Sequence, residues 1–389
     1  MHGMVNVNDQ SNLLSKLRVP LLFIILGINL DLGITCTLGL VALVVIEVHM
    51  TLIVSVFLNV NDGVSKMKRF KDILCVVESG EDCKVVLTRA VALAENNQAS
   101  LTVISVMPRV KGGIRMPKGS SFLANLEAEM VNSRTQELEM LIEPYRKQIK
   151  IESKVLVGTP FLMIIREVLR NGHDLLIKTP EQQERFARFF GSDDMHLLRK
   201  CPCPVWLIKQ EAPKSYGRIL AAVDIDEMSS VVDQQTQQSI NQHILQMAGS
   251  LALSEFAELH VANAWDVMGE STLRHSAFSR TPEEEINAYV ELTRQKHADS
   301  LSVLLHEHQN DILDYLAPQT HLLKGLAHKE IPAFAKRIEA DMIVMGTVAR
   351  IGIPGFIMGN TAETILNQLD CSVLAIKPPG FITPVELED

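Results

Sequence analysis

No two of the six cysteines (Cys36, Cys75, Cys83, Cys201, Cys203, Cys371) are spaced as C-x2-C, so the usual sequence signature of a zinc site is missing. The closest pair, Cys201-Pro-Cys203-Pro, has a single-residue gap filled by proline. That pattern suits a turn entering a strand, and no metal is expected. Scattered thiols fit a reducing, cytoplasmic setting for the globular part. Excess positive charge is missing too: 37 Lys and Arg stand against 46 Asp and Glu, a net charge of -9. This argues against broad grip on nucleic acid, and no direct nucleic-acid partner is expected. His196, His260, His321 and His328 are dispersed, and none adjoins a Ser or Cys in a nucleophile turn, so a hydrolase triad is not indicated. The helical patterns 122–149 and 282–308 carry mixed charge without a sustained heptad seam, which gives no sign of coiled-coil assembly.

At 389 residues the chain has room for two ordinary domains and additional sequence. Residues 1–66 differ in kind. From Val19 to Val60 they are almost wholly apolar, interrupted mainly by Asn29, Asp31, Glu47 and His49. A span from Leu32 to Leu58 is 27 residues, enough at about 1.5 Å per residue to cross about 30 Å of hydrocarbon with a tilt. Glu47 and His49 would each be costly against lipid. A hairpin, entering over Val19 to Leu30 and returning from Leu32, would keep both basic flanks on the cytoplasmic side. The stretch lacks a small-residue cleavage site and is not a secretory signal. It reads as a hydrophobic helical segment, a transmembrane helix or hairpin making membrane contact through residues 19–60 and anchoring the globular part to the inner membrane. A second reading stays open: a remnant of a neighbouring reading frame or a mis-called start, since Met67 begins a self-sufficient protein that would be fully cytoplasmic.

From Phe70 the chain repeats itself, and internal repetition outranks every other organisational signal. Phe70-Lys-Asp-Ile-Leu-Cys-Val-Val-Glu78 aligns with Tyr216-Gly-Arg-Ile-Leu-Ala-Ala-Val-Asp224, each a short apolar strand ending in a carboxylate. Helices are expected at Thr88 to Glu95 and Gln242 to Leu253, then strands at Leu101 to Val106 and Glu258 to Ala264. Third strands end near Gly158 and Gly325, third helices cover Ile164 to Arg170 and Ile331 to Ile338, and Asp174-Leu-Leu-Ile-Lys178 matches Asp341-Met-Ile-Val-Met345. Both copies close with a helix, a cysteine and a strand: Cys203 to Lys209 and Cys371 to Lys377. Strands alternating with helices imply an α/β protein of two tandem, doubly wound, parallel five-stranded Rossmann-like or flavodoxin-like domains. The expected limits are 67–210 and 215–380, with an acidic tail at 381–389.

Ligands of open α/β sheets collect at the carboxyl ends of the strands. In the second copy that end carries Asp224 and a glycine-punctuated loop (Gly346, Gly352, Gly355, Gly359) ahead of a helix. Glycine lets backbone approach a ligand closely, and a helix start offers unpaired N–H groups. Arg350 is the cation best placed to reach a phosphate. Asn360 also reads simply as a cap for a helix starting at Thr361 with Glu363 in its first turn. In the first copy Thr179 and Gln182 replace the first two glycines, Gly191-Ser192 survives, and Asp193 and Asp194 open the helix. Two carboxylates there would repel a phosphate, and Glu78 stands where the second copy has Asp224.

Gly346, Gly359 and Asn360 fall on the frame G-x2-G-x9-G-[ST], with Ala349 in place of the second glycine and Asn360 in place of Ser or Thr. Together with Gly346-Thr-Val-Ala-Arg350, Gly359-Asn-Thr-Ala-Glu363, His196-Leu-Leu-Arg-Lys-Cys-Pro202 and Thr383-Pro-Val-Glu-Leu387, this resembles the tandem-domain members of the universal stress protein A family, from about Phe70 onward. The resemblance implies a ligand set in the second copy of Asp224, Val261, Met345, Gly346, Val348, Arg350, Gly359, Asn360 and Thr361. Asp224 and Val261 would meet the nucleoside, and Gly346, Gly359 and Asn360 the phosphates. It implies ATP, another adenine nucleotide or another small-molecule ligand, with no metal required. The two last strands would meet as an intramolecular pseudo-dimer, a homodimer remaining open. The function implied is non-catalytic, in general stress adaptation and resistance, including to DNA-damaging agents. Two alternatives stand beside it: a weak ATP hydrolase on the same cleft, and a membrane-tethered cytoplasmic sensor of a transporter.

Overall fold

The computed structural model describes residues 70–78, 83–110, 122–181, 190–225, 231–276, 280–307, 311–347 and 358–387. The apolar N-terminal segment, Val348 and Arg350 lie outside them. Among the described residues no helix is long and apolar enough to cross a membrane.

Among the described residues ten strands alternate with helices. The first half runs β1 (Asp72–Val76), α1 (Cys83–Asn97), β2 (Ser100–Met107), α2 (Phe122–Ile142), β3 (Ile151–Val157), α3 (Pro160–Asn171), β4 (Leu175–Lys178), α4 (Ser192–Lys200) and β5 (Val205–Leu207). The second runs β6 (Arg218–Ala222), α5 (Val231–Glu255), β7 (Glu258–Trp265), α6 (Glu270–His275), α7 (Glu283–Glu307), α8 (Asp311–Leu316), β8 (Gln319–Lys324), α9 (Ala327–Arg337), β9 (Met342–Gly346), α10 (Asn360–Leu366) and β10 (Ser372–Ile376). The α5 helix begins eleven residues before the Gln242 start expected from apolar periodicity. Its opening turns, Val231-Val-Asp-Gln-Gln-Thr-Gln-Gln-Ser, show no apolar stripe, yet glutamine has good intrinsic helix propensity.

The strands form one sheet in the order β3-β2-β1-β4-β5-β10-β9-β6-β7-β8. Each half has the same internal order, and every pairing is parallel except that of β5 with β10. There Trp206 faces Leu374 and Val205 faces Ala375 across an antiparallel ladder. The two five-stranded halves are thus joined edge to edge into one ten-stranded sheet, because each last strand would otherwise present unpaired N–H and C=O groups.

Successive strand residues point to opposite faces, and the core divides accordingly. Ile73, Cys75, Ile219 and Ala221 pack on one face under α1, α2, α5 and α7. Leu74, Val76, Leu220 and Ile343 pack on the other with α3, α4, α9 and α10. The duplication extends to hydrogen bonds. Asp174, just before β4, accepts the N–H groups of Lys71 (2.7 Å) and Asp72 (3.2 Å). Asp341, just before β9, accepts those of Gly217 (2.6 Å) and Arg218 (3.0 Å).

Candidate ligand clefts in the two halves

Strand register fixes which side chains meet at the carboxyl edge. Val76 lies opposite Lys178 in the first half, and Ala222 opposite Met345 in the second. Two residues beyond those strands stand Glu78 and Asp224. The halves therefore differ at one position of the floor, where one has an ammonium group and the other a thioether.

In the first half that ammonium group organises everything around it. Lys178 Nζ lies 2.8 Å from Glu78 Oε1, 3.0 Å from Asp194 Oδ1 and 2.9 Å from the Thr179 carbonyl. Three acceptors match its three protons. Burial pulls the Lys178 pKa down, but the carboxylates of Asp194 and Glu78 more than offset this, so it stands above its ordinary value. Asp194 is fully buried at the start of α4, and its Oδ2 accepts the N–H groups of Glu181 (2.7 Å) and Gly191 (3.1 Å). A Cβ on Gly191 would overlap the Glu181 carboxylate. The helix start that could have received a phosphate is filled by the protein's own carboxyl groups. Of the two aspartates expected to repel an anion, Asp193 is half-buried and Asp194 does the filling.

The first-half cleft remains open above this plug. A cavity of about 670 Å³ lies between the ends of β1, β2 and β4, the flank of α2 and the start of α3. Arg134 on α2 reaches across its edge, donating to Ser105 Oγ (2.8 Å) and pairing with Glu137 (2.8 Å).

In the second half Asp224 is exposed just beyond β6, and its backbone is clamped from both sides by one residue of α5. Asn241 Nδ2 donates to the Asp224 carbonyl (2.6 Å), and the Asp224 N–H donates to Asn241 Oδ1 (3.1 Å). Asn263 Nδ2 donates to the Val223 carbonyl (3.2 Å), and Asn263 Oδ1 lies 3.1 Å from His297 Nδ1 of α7. The Trp265 ring lies 6.0 Å from that of His297, with Lys324 Nζ 5.9 Å from its centre. Trp265, Asn263 and Asn241 were not singled out as ligand residues from sequence. The signal that could have found the two asparagines is amide side chains at buried positions of a strand and a helix flanking the aspartate.

The other site residues expected from sequence are placed as follows. Val261 is fully buried in the core, opposite Ala221 in mid-strand, and the β7 residues nearer its carboxyl end are Asn263 and Trp265. Met345 is buried on β9. Gly346 ends that strand, and a Cβ there would come within 2.8 Å of Ile240 Cγ2 on α5. Packing against α5 is thus one cause for its missing side chain. Asn360 does not cap α10: Gly359 is the N-cap, without a side-chain bond, and Asn360 is the first helical residue. Asn360 and Thr361 are both exposed, and Glu363 pairs with Arg199 of α4, joining the two halves.

A second link between the halves was also missed. Lys377, at the end of β10 and buried, donates to Thr347 Oγ1 (2.8 Å) and to the Leu198 carbonyl of α4. Burial lowers its pKa to about 8. Among the described residues no group of three or more His, Cys, Asp or Glu side chains is placed to hold a metal ion.

Two segments, residues 69–209 and 215–377, match the model of the universal stress protein family. Universal stress protein E of Escherichia coli K12 and that of Salmonella typhi are each 29% identical over 327 residues, covering 83% of this chain and 99% of theirs. A crystal structure of a functionally unknown protein from Pseudomonas aeruginosa PAO1 superposes with a TM-score of 0.56 at 27% identity, covering 80% of this chain and 94% of that one. A universal stress protein from Archaeoglobus fulgidus, at 18% identity, shares the fold with a TM-score of 0.52 over 79% of this chain and 98% of its own. With an α/β duplication, matching strand order in both halves and two family matches spanning most of the sequence, the chain belongs to the universal stress protein family, as a tandem member similar to universal stress protein E.

Proposed function

We propose that the protein is a non-catalytic binding component of stress adaptation whose second half takes an adenine nucleotide at the carboxyl end of β6. Family membership supports a general stress-response role. One observation carries the ligand reading. Where the first half sets Lys178 against Glu78, the second sets the apolar Met345, and Asp224 stands exposed on a backbone held by Asn241. An exposed carboxylate on a backbone so held is suited to ribose hydroxyls or an adenine amino group. Gly359, Asn360 and Thr361, with Val348 and Arg350, complete the proposed phosphate side.

The test is equilibrium titration of the full chain with a fluorescent ATP analogue beside Asp224→Ala. Affinity should fall at least tenfold in the variant, about 1.4 kcal/mol. Equal binding by both chains would overturn the assignment. Turnover above background that disappears in Asp224→Ala would make the protein a hydrolase instead. The globular part is proposed to be cytoplasmic, tethered by residues 19–60. Fractionation of cells expressing the full chain, beside one beginning at Met67, tests this: a soluble full chain removes the tether.

A further inference from the structure

The first-half cavity carries an inference independent of the nucleotide reading. At about 670 Å³ it lies within the ordinary range of small-molecule sites, roughly 300–1,000 Å³. Its walls are apolar, formed by Val106, Met107, Pro108, Met130 and Ile164. Its charged groups are Glu78, Arg134, Glu137, Lys178 and Glu181, and their chemistry decides what the cavity accepts.

Both cations that reach it are already engaged. Lys178 has a protein acceptor for each of its three protons. Arg134 is committed to Ser105 Oγ, Glu137 and the Val77 carbonyl. An entering phosphate or carboxylate would have to break those pairings. Among the described lining residues the carboxylates outnumber the cations. Glu78, Glu137 and Glu181 line the cavity with Arg134 and Lys178, and Asp194 is buried behind. Glu181 is held in place through its N–H bond to Asp194 and its packing over Gly191. Of the described groups that act on its carboxyl, Asp194, Asp193 and Glu78 are acids and Lys178 is a base. A cation delivered to this corner would relieve their mutual repulsion.

We propose that the first-half cavity binds an amphipathic organic cation, its apolar body against Met107, Pro108 and Ile164 and its ammonium group against Glu78 and Glu181. The two halves then serve opposite charges: the second a nucleotide anion, the first an alkyl- or arylammonium. Burial, and Asp194 next, raise the Glu181 pKa to about 7. Binding a cation therefore expels a proton from Glu181, and affinity rises with pH through neutrality.

The experiment is calorimetric titration of the full chain with n-octylammonium chloride, with sodium octanoate as the probe of opposite charge. One octylammonium should bind per chain, at least tenfold more tightly than octanoate. Proton release should be seen when the titration is repeated in buffers of different ionisation enthalpy. Glu181→Gln should weaken binding about tenfold and abolish the proton release. Ser133→Trp, which places a ring at the cavity mouth from exposed α2, should remove binding, while Asp224→Ala should leave it unchanged. Tighter binding of octanoate, no binding of octylammonium, or unchanged affinity in both Glu181→Gln and Ser133→Trp would each overturn the proposal. Thermal melts showing that the variants fold exclude loss of structure as the cause.

Discussion

Lys178 Nζ sits 3.0 Å from Asp194 Oδ1 with both side chains almost wholly removed from solvent, 2% and 0% exposed. Such a pair, once formed, is dangerous to halve, because the remaining charge is left in a low-dielectric interior. Lys178→Met installs the residue the second half uses at that register and strands Asp194. It should destabilise the protein by about 3–5 kcal/mol in urea unfolding. Adding Asp194→Asn should recover part of that loss, since residues in contact are not additive. Additive losses would show that the pair is not coupled.

The carboxyl of Glu181 gives stability an unusual pH dependence. Its pKa is raised from 4.5 to about 7, first by burial and then by Asp194. Between those values the folded chain holds a proton that the unfolded chain has released, so stability falls as pH rises across the window. Glu181→Gln should match the parent in melting temperature at pH 4.5, then exceed it increasingly up to about pH 7, with a constant margin above. His260 and His321 act in the opposite sense. His260 Nδ1 lies 3.1 Å from His321 Nε2, and burial lowers both pKa values from 6.5. They withdraw stability as pH falls below 6.5, so the parent's own profile should slope more gently than the variant's difference curve.

Gly346 offers a choice between two causes that a sequence motif cannot separate. The 2.8 Å approach of Ile240 Cγ2 to the missing Cβ means that Gly346→Ala should cost about 1–3 kcal/mol through overpacking. Against an Ile240→Ala background, which removes Cγ2, the same substitution should cost far less. If Gly346→Ala leaves urea unfolding unchanged and weakens only nucleotide binding, the glycine serves the ligand and not the helix.

The thiols make a prediction about reactivity. Cys75, Cys83, Cys201, Cys203 and Cys371 are all buried, and Cys201 Sγ lies 3.5 Å from Cys203 Sγ without a disulfide. Burial raises the pKa of Cys75, and it pushes that of Cys371 up to about 12, reinforced by Asp370. Thiolate is the reactive species. Iodoacetamide at pH 7.5 should therefore leave Cys75 and Cys371 unmodified in the native protein over hours, by peptide mass mapping, and label both in denaturant.

Arg199 and Glu363, by comparison, form a visible ionic link between the halves that should matter little. Both side chains are about a third exposed (33% and 35%), and pairs of this kind contribute about 0–1 kcal/mol. Arg199→Ala should shift the urea midpoint by no more than that.

Repetition made the fold legible. The carboxylate at the end of each first strand, the aspartate before Leu175 and before Met342, and the cysteine ahead of each closing strand all survive in both copies. Alternation of strands and helices implied parallel sheets, but the order β3-β2-β1-β4-β5 within a half came only from the structure. The site was less legible, because a motif records a residue type and not its neighbour. Nothing local to Gly346 reveals Ile240, more than a hundred positions earlier, pressing on it. Likewise Lys178 reads as the last residue of an apolar strand until the sheet sets Glu78 beside it and α4 sets Asp194 behind it. Asn360 looked like a cap because Asn favours that position, but the chain turns one residue earlier, at Gly359.

The seat of β10 between β5 and β9 has a consequence for how the protein is made. The strand in the middle of the sheet is the one translated after the other nine. Until Ile376 has left the ribosome, the inner borders of both halves stay open, one offering Val205–Leu207 and the other Met342–Gly346 to any passing extended chain. Nascent molecules interrupted shortly before that residue carry two adhesive seams at once, and the final segment of synthesis is what closes both.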